Sequence, residues 1–82
     1  MRLDTAIGQT LREIRTEQFL TLRQAAIKSL VSIGHLSDLE RAAKQPSTQM
    51  LESIARGYGL PTTELLNRVV ETLYKEEQKC SQ

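Results

Sequence analysis

The side chains able to do chemistry are few and scattered. The chain has one histidine, His35, and one cysteine, Cys80. A structural zinc site needs a cluster of such ligands and a disulfide needs a second cysteine, so neither is expected, and no metal or cofactor is. General acid–base work by His35 would need an orienting partner in a cleft, whereas helical spacing puts it on the outside of a helix, as it does Asp38. No nucleophile–base pair, metal cluster or glycine-rich phosphate loop stands in the sequence. An enzyme is therefore not expected. The acid–base pairs Glu52–Arg56, Glu64–Arg68 and Glu71–Lys75 have the spacing that supports exposed helix faces.

What positions these groups must be small. The chain has 82 residues, 39% of them hydrophobic and 26% charged, which fits one ordinary globular domain. A chain this short buries a modest share of its surface, so stability without a partner is expected to be marginal. A lone cysteine reads as an intracellular, reduced protein. With no apolar run approaching about 18 residues and no basic-then-apolar leader, a cytoplasmic location away from membranes is expected. The net charge of +1 names no partner: residues 1–56 hold 8 basic and 6 acidic side chains, residues 57–82 hold 3 and 4. A nucleic-acid binder so nearly neutral would have to place its cations well.

Apolar spacing is helical throughout, and no strand pattern occurs, so the fold class is all-α with five helices. Asp4 and Thr5 offer a cap for a first helix reaching about Gln18, with Ile7, Leu11 and Ile14 on one face. Thr21 caps a second helix, 22 to about 29, whose inner face is Leu22, Ala25 and Ala26. Ser32 caps a third, turning Leu36 and Leu39 inward and His35 and Asp38 outward. Pro46 and Ser47 start a fourth, with Met50, Leu51, Ile54 and Ala55 apolar; it ends at 57–59, where Gly59 suits the left-handed position after a helix. Pro61 and Thr62 open a fifth, running to about Glu77. Only Leu30 and Val31 separate the second helix from the third cap. So tight a turn makes the two helices cross steeply, as in a helix-turn-helix, and the small pair Ala25–Ala26 suits a close crossing.

Thr21-Leu-Arg-Gln-Ala-Ala26, then Val31-Ser-Ile-Gly-His-Leu-Ser-Asp-Leu-Glu-Arg41, then Pro46-Ser47 and Leu51 to Ala55, resemble the Cro and phage-repressor type of helix-turn-helix domain, the Xre-like family. The likeness extends back to Ile7-Gly-Gln-Thr-Leu-Arg-Glu-Ile-Arg15 and on to Gly59-Leu-Pro-Thr-Thr-Glu-Leu-Leu66. It spans roughly residues 6–66, and that breadth makes it specific where an isolated motif would not be. It implies a lambda-repressor-like domain over 1–66, with 67–82 as a helical extension, and double-stranded DNA as partner.

Carried over position by position, the resemblance makes the third helix the recognition helix, with Ile33, Gly34, His35 and Asp38 facing base edges in the major groove. Ser32 and Ser37 would sit at the groove rim, and Thr21, Arg23, Arg41 and Lys44 would contact the DNA backbone. No Arg, Lys, Asn or Gln stands at the four base-facing positions, so direct readout is expected to be limited. Ile33 can meet a thymine methyl, His35 one base edge, and Asp38 a cytosine N4 amine. Site choice would then lean on DNA shape and paired half-sites; the other reading is that the surface no longer binds DNA. The resemblance also pairs Arg15 with Glu40, structurally rather than catalytically.

Glycines usual at the family's helix ends are replaced by Phe19, Leu30 and Ala42. At Leu30 a left-handed residue costs a non-glycine roughly 1–2 kcal/mol. Either Leu30 takes that strain in exchange for burying its side chain, or the turn is rearranged and the recognition helix tilts. Leu22 also stands where a polar residue often touches phosphate.

Beyond the resemblance, Leu66, Val69, Val70, Leu73 and Tyr74 make an apolar stripe. Its first reading is a twofold homodimer interface, which a pair of recognition helices needs; its second is that it folds back on the first helix. The tail from Glu76 is polar and expected to fray, leaving Cys80 an exposed thiol. The function expected is a sequence-specific transcriptional regulator, a repressor or autoregulator acting as a homodimer. The alternative is an antitoxin or interaction module whose last helix binds another protein. No small-molecule ligand is expected.

Overall fold

The computed structural model describes residues 1–80. Five helices make up the fold: α1 (Leu3–Glu17), α2 (Leu22–Ser29), α3 (Ile33–Glu40), α4 (Thr48–Gly57) and α5 (Thr62–Cys80), with no strand among the described residues. The chain is all-α. Helix starts follow cap chemistry. Thr21 opens α2 in a capping box with Gln24, and Ser32 and Ser47 each accept an amide hydrogen bond at the start of α3 and α4. The expected Asp4–Thr5 cap is corrected. Helix α1 begins earlier, with Arg2 at its N-cap and no side-chain cap bond. Asp4 instead lies inside the first turn, where its carboxylate accepts from the Thr5 amide and offsets the positive end of the helix.

Four helices end in one way. The amides of Phe19, Leu30, Ala42 and Gly59 return to carbonyls three residues back, and those of Leu20, Val31, Ala43 and Leu60 to carbonyls five back, the double closure of a Schellman motif. Its pivot is left-handed, and only the last is glycine: Phe19, Leu30 and Ala42 have φ of 57°, 58° and 58°. Leu30 thus takes the strain and the turn keeps its family form. The expected compensation is absent, because the Leu30 side chain is 83% exposed. Leu30→Gly is expected to raise stability by about 0.5–1 kcal/mol, relief of left-handed strain less the added chain entropy. A higher urea midpoint at unchanged slope would show it; an unchanged or lower midpoint would show that the pivot carries no such strain.

The core joins Ile7, Leu11 and Ile14 of α1, Ala25 and Ala26 of α2, Leu36 and Leu39 of α3, Ile54 and Ala55 of α4, Tyr58 after it, and Leu65 and Val69 of α5. Helix α1 packs on α3 and α5, α2 on α3 and α4, and α4 on α5. Ala25 and Ala26 are both buried, as a close crossing requires.

The carboxyl-terminal stripe is corrected in part. Val69 is buried and Leu73 packs against the core, so these two serve the chain's own interior, where α5 lies along α1. Leu66, Val70 and Tyr74, each one position round the helix from the inner face, remain 45%, 61% and 61% exposed. The core therefore continues past residue 66. Thr10 and Thr72 meet in the α1–α5 contact at 3.0 Å, while each hydroxyl also lies within reach of a carbonyl four residues back in its own helix. Two hydroxyl protons serve three short contacts, so only two of them are hydrogen bonds at one time.

Arg68 does not pair with Glu64. Its guanidinium donates to both carboxylate oxygens of Glu17 on α1, at 3.2 and 2.7 Å. That contact draws the Glu17 carboxyl below its ordinary range and holds Arg68 above its own. Among the described residues no ion pair joins Glu52 to Arg56 or Glu71 to Lys75. Helix α5 runs to Cys80 rather than ending near Glu77. Residues 81 and 82, and the Cys80 thiol, lie outside the described residues.

Candidate nucleic-acid interface

Helix α3 is short, with 8 residues, and too weak alone to hold a direction, so its neighbours must hold it. Leu36 and Leu39 anchor its inner face. Its last carbonyls lie against α1 at Gly8: a Cβ built there would stand 2.4 Å from the Leu39 oxygen and 2.8 Å from that of Glu40. Beside that contact, Arg15 Nε donates to Glu40 Oε2 at 2.7 Å and Nη2 to Oε1 at 3.0 Å, while Nη1 reaches the Leu20 carbonyl at 3.0 Å. The two side chains are 15% and 8% exposed. The Glu40 hydrogen bond raises the Arg15 guanidinium above its ordinary value, against the opposing pull of burial. The pairing implied by the resemblance is present, and it ties the end of α3 to α1.

Tyr58 stands near this pair. Burial, and then the Glu40 charge, push its phenol far above the ordinary tyrosine range, against Arg15. Among the described residues its buried hydroxyl has no hydrogen-bond partner. With the folded value raised, stability is intact below the unfolded pKa of about 10 and falls as pH climbs past it. Tyr58→Phe is expected to be neutral or slightly stabilising at pH 7, and to remove part of the loss between about pH 9 and 11. Thermal melts of both proteins across that range check it. Parallel pH profiles would show that the phenol titrates normally.

The amino-terminal turn of α3 faces outward. Ser32, Ile33 and Gly34 are exposed, and a Cβ on Gly34 would meet nothing within 4 Å. The Ser32 hydroxyl accepts from the His35 amide at 3.1 Å and keeps its own proton to donate. Ser37 is half-buried. His35 departs from expectation: it is half-buried, and its Nε2 is covered, with no partner among the described residues. The reason is helical phase, since Leu39, four residues on, is a core residue and carries the ring to the edge of the inner face. That nitrogen is withdrawn from any base edge in this conformation.

Asp38 is half-buried as well, and it is occupied. Its Oδ1 accepts from Arg41 Nη2 at 2.5 Å, and its Oδ2 lies 3.6 Å from Lys44 Nζ. Lys44 reaches it because Ala42 turns the chain back, with the Ala43 amide on the Asp38 carbonyl at 2.8 Å. Arg41 and Lys44 themselves stay 65% and 58% exposed. Thr21 and Arg23, at the start of α2, are exposed, and no carboxylate pairs with Arg23 among the described residues. The described residues thus present an exposed amino-terminal turn of α3, with exposed hydroxyl and cationic side chains at the start of α2 and exposed cations just after α3. Sequence reasoning missed Gly8, Tyr58 and the occupied state of Asp38. A lone glycine inside a helical pattern was the available signal for the first, and the three-residue spacing of Asp38 and Arg41 for the last.

Comparison with known proteins matches residues 6–68 to a family described as helix-turn-helix domain. The transcriptional regulator ClgR of Mycobacterium tuberculosis is 35% identical over 72 residues, covering 88% of this chain and 64% of that protein. The immunity repressor of Bacillus phage phi105 is 39% identical over 72 residues, covering 88% of this chain and 49% of that one. The chain thus spans about half to two thirds of these relatives' length. In the crystal structure of the clp gene regulator ClgR from Corynebacterium glutamicum, the matching chain is 35% identical with a TM-score of 0.80, over 88% of this chain and 94% of that chain.

Proposed function

The chain belongs to the helix-turn-helix domain family, of the Cro and phage-repressor (Xre-like) type, and from that premise we propose that it is a sequence-specific DNA-binding transcriptional regulator, a repressor or autoregulator that occupies paired half-sites as a homodimer. It is not an enzyme. One observation carries the reading: the amino-terminal turn of α3 stands exposed while its other end is held to α1 by Gly8 and the Arg15–Glu40 pair. A short helix presented at a held tilt is what major-groove entry requires.

In this reading Ile33 and Gly34 meet base edges, with His35 and Asp38 behind them. Ser32, Ser37, Thr21, Arg23, Arg41 and Lys44 grip the sugar–phosphate backbone. Affinity then comes mainly from phosphate contacts and choice of site from shape as well as base edges. The exposed residues Leu66, Val70 and Tyr74 recur every four positions along α5; in this reading they make the twofold contact that binding to paired half-sites needs.

The test is binding to a duplex selected from a random pool and to random duplex across a salt series, with the protein's mass measured by sedimentation equilibrium. Arg41→Ala is expected to weaken binding most on the selected duplex and to lower the salt slope there by about one unit. Unchanged affinity for all duplexes would refute the backbone role. A dimer with steep salt dependence and sequence preference supports the regulator. Absence of any duplex binding favours the interaction module, in which α5 receives another protein.

A further inference from the structure

Asp38 holds two of the cations assigned to phosphate, and it does so from the face assigned to bases. We propose that Asp38 is a gate coupling base identity to phosphate grip. Over unsuitable sequence its carboxylate keeps Arg41 and Lys44; a cytosine N4 amine in the groove takes the carboxylate and frees both cations for the backbone. The inference rests on the reading of α3 as the recognition helix.

The chemistry follows from counting acceptors. An ionised carboxylate accepts and cannot donate, and here each oxygen has its own cation, Oδ1 facing Arg41 and Oδ2 facing Lys44. If a phosphate takes Arg41 or Lys44 away, Asp38 is left half-buried and under-paired beside further negative charge. The duplex can relieve this only where it presents a donor; the major groove has two, adenine N6 and cytosine N4, and the acceptor N7 beside adenine N6 repels a carboxylate, which leaves the cytosine N4 amine as the partner. The penalty therefore falls on duplexes lacking that amine at the right step. A reading surface poor in Arg, Lys, Asn and Gln can discriminate in this way, by withholding affinity from wrong sequences.

The experiment compares wild type, Asp38→Ala, Arg41→Ala with Lys44→Ala, and the triple variant, on random-sequence duplex and on duplex selected by the wild type, across a salt series. Alanine favours the helix at this half-buried position, and Asp38→Asn provides a second variant of nearly the same shape. Asp38→Ala is expected to tighten binding to random duplex roughly threefold to tenfold at low salt and to steepen its salt slope by about one to two units. The C·G preference at one step of each half-site should disappear. In the background lacking Arg41 and Lys44, removing Asp38 should leave binding to random duplex unchanged. An equal gain in that background would mean that Asp38 merely repels phosphate, and no gain in the wild-type background would equally overturn the gate. If Arg41→Ala with Lys44→Ala weakens no duplex, the DNA reading of this face fails first, and the gate with it.

Discussion

Glu40→Ala is expected to lower stability by about 3 kcal/mol, the lower end of what breaking a buried ion pair costs. The value sits at that end because Arg15 keeps 15% of its side chain exposed, so water can solvate part of the stranded guanidinium. What remains is a charge that has lost two hydrogen bonds and retains one, to the Leu20 carbonyl. For a domain of this size the loss corresponds to a melting temperature lower by roughly 12–24 °C. Removing both charges together, as Arg15→Met with Glu40→Leu, should recover most of it, since an apolar pair of similar volume strands no charge. Thermal and urea unfolding of the single and double variants decide the matter. A loss below about 1 kcal/mol would rank the pair with ordinary surface contacts. Sequence-specific binding should fall further than folding does, because the pair holds α3 to α1.

Gly8→Ala should have the second-largest effect, a net loss of about 2 kcal/mol. Overpacking a tight contact costs about 3 kcal/mol at the upper end of its usual range, and better helix propensity returns about 1. The upper end applies because the obstruction is backbone. The new methyl would meet the carbonyl oxygens of Leu39 and Glu40 at 2.4 and 2.8 Å, and neither can move without moving α3. The variant should therefore unfold at lower urea and, where still folded, show altered amide shifts in residues 33–41. Wild-type stability with an undisturbed α3 would show that the two helices separate freely at this point. Gly57 has a similar constraint across α4 and α2, where a Cβ would lie 2.6 Å from Ser29 Oγ and 2.7 Å from the Lys28 carbonyl.

These two positions differ in how they could be foreseen. The family resemblance implies a pair between Arg15 and Glu40, and the side chains meet. Gly8 carries no such signal in the sequence, because a missing Cβ gains meaning only once the neighbouring helix is in place. At Leu30 the sequence permits either a left-handed turn or a rearranged one. The left-handed turn holds, but the burial expected to accompany it does not.

The helices, their Thr21, Ser32 and Ser47 caps and the tight turn before α3 were all legible in the sequence. Periodicity, capping and turn chemistry act between residues a few positions apart, so each leaves its signal locally. The tertiary structure alone decided which half of the α5 stripe turned inward, sending Val69 and Leu73 to the core and leaving Leu66, Val70 and Tyr74 outside. It also gave Arg68 to Glu17 instead of Glu64, pulled His35 toward the inner face, and set Asp38 against Arg41 and Lys44. Most of these outcomes turn on differences of one helical position, about 100° of rotation. A stripe or a charge spacing permits either side, and the close approach of α1 to α3 and α5 selects one.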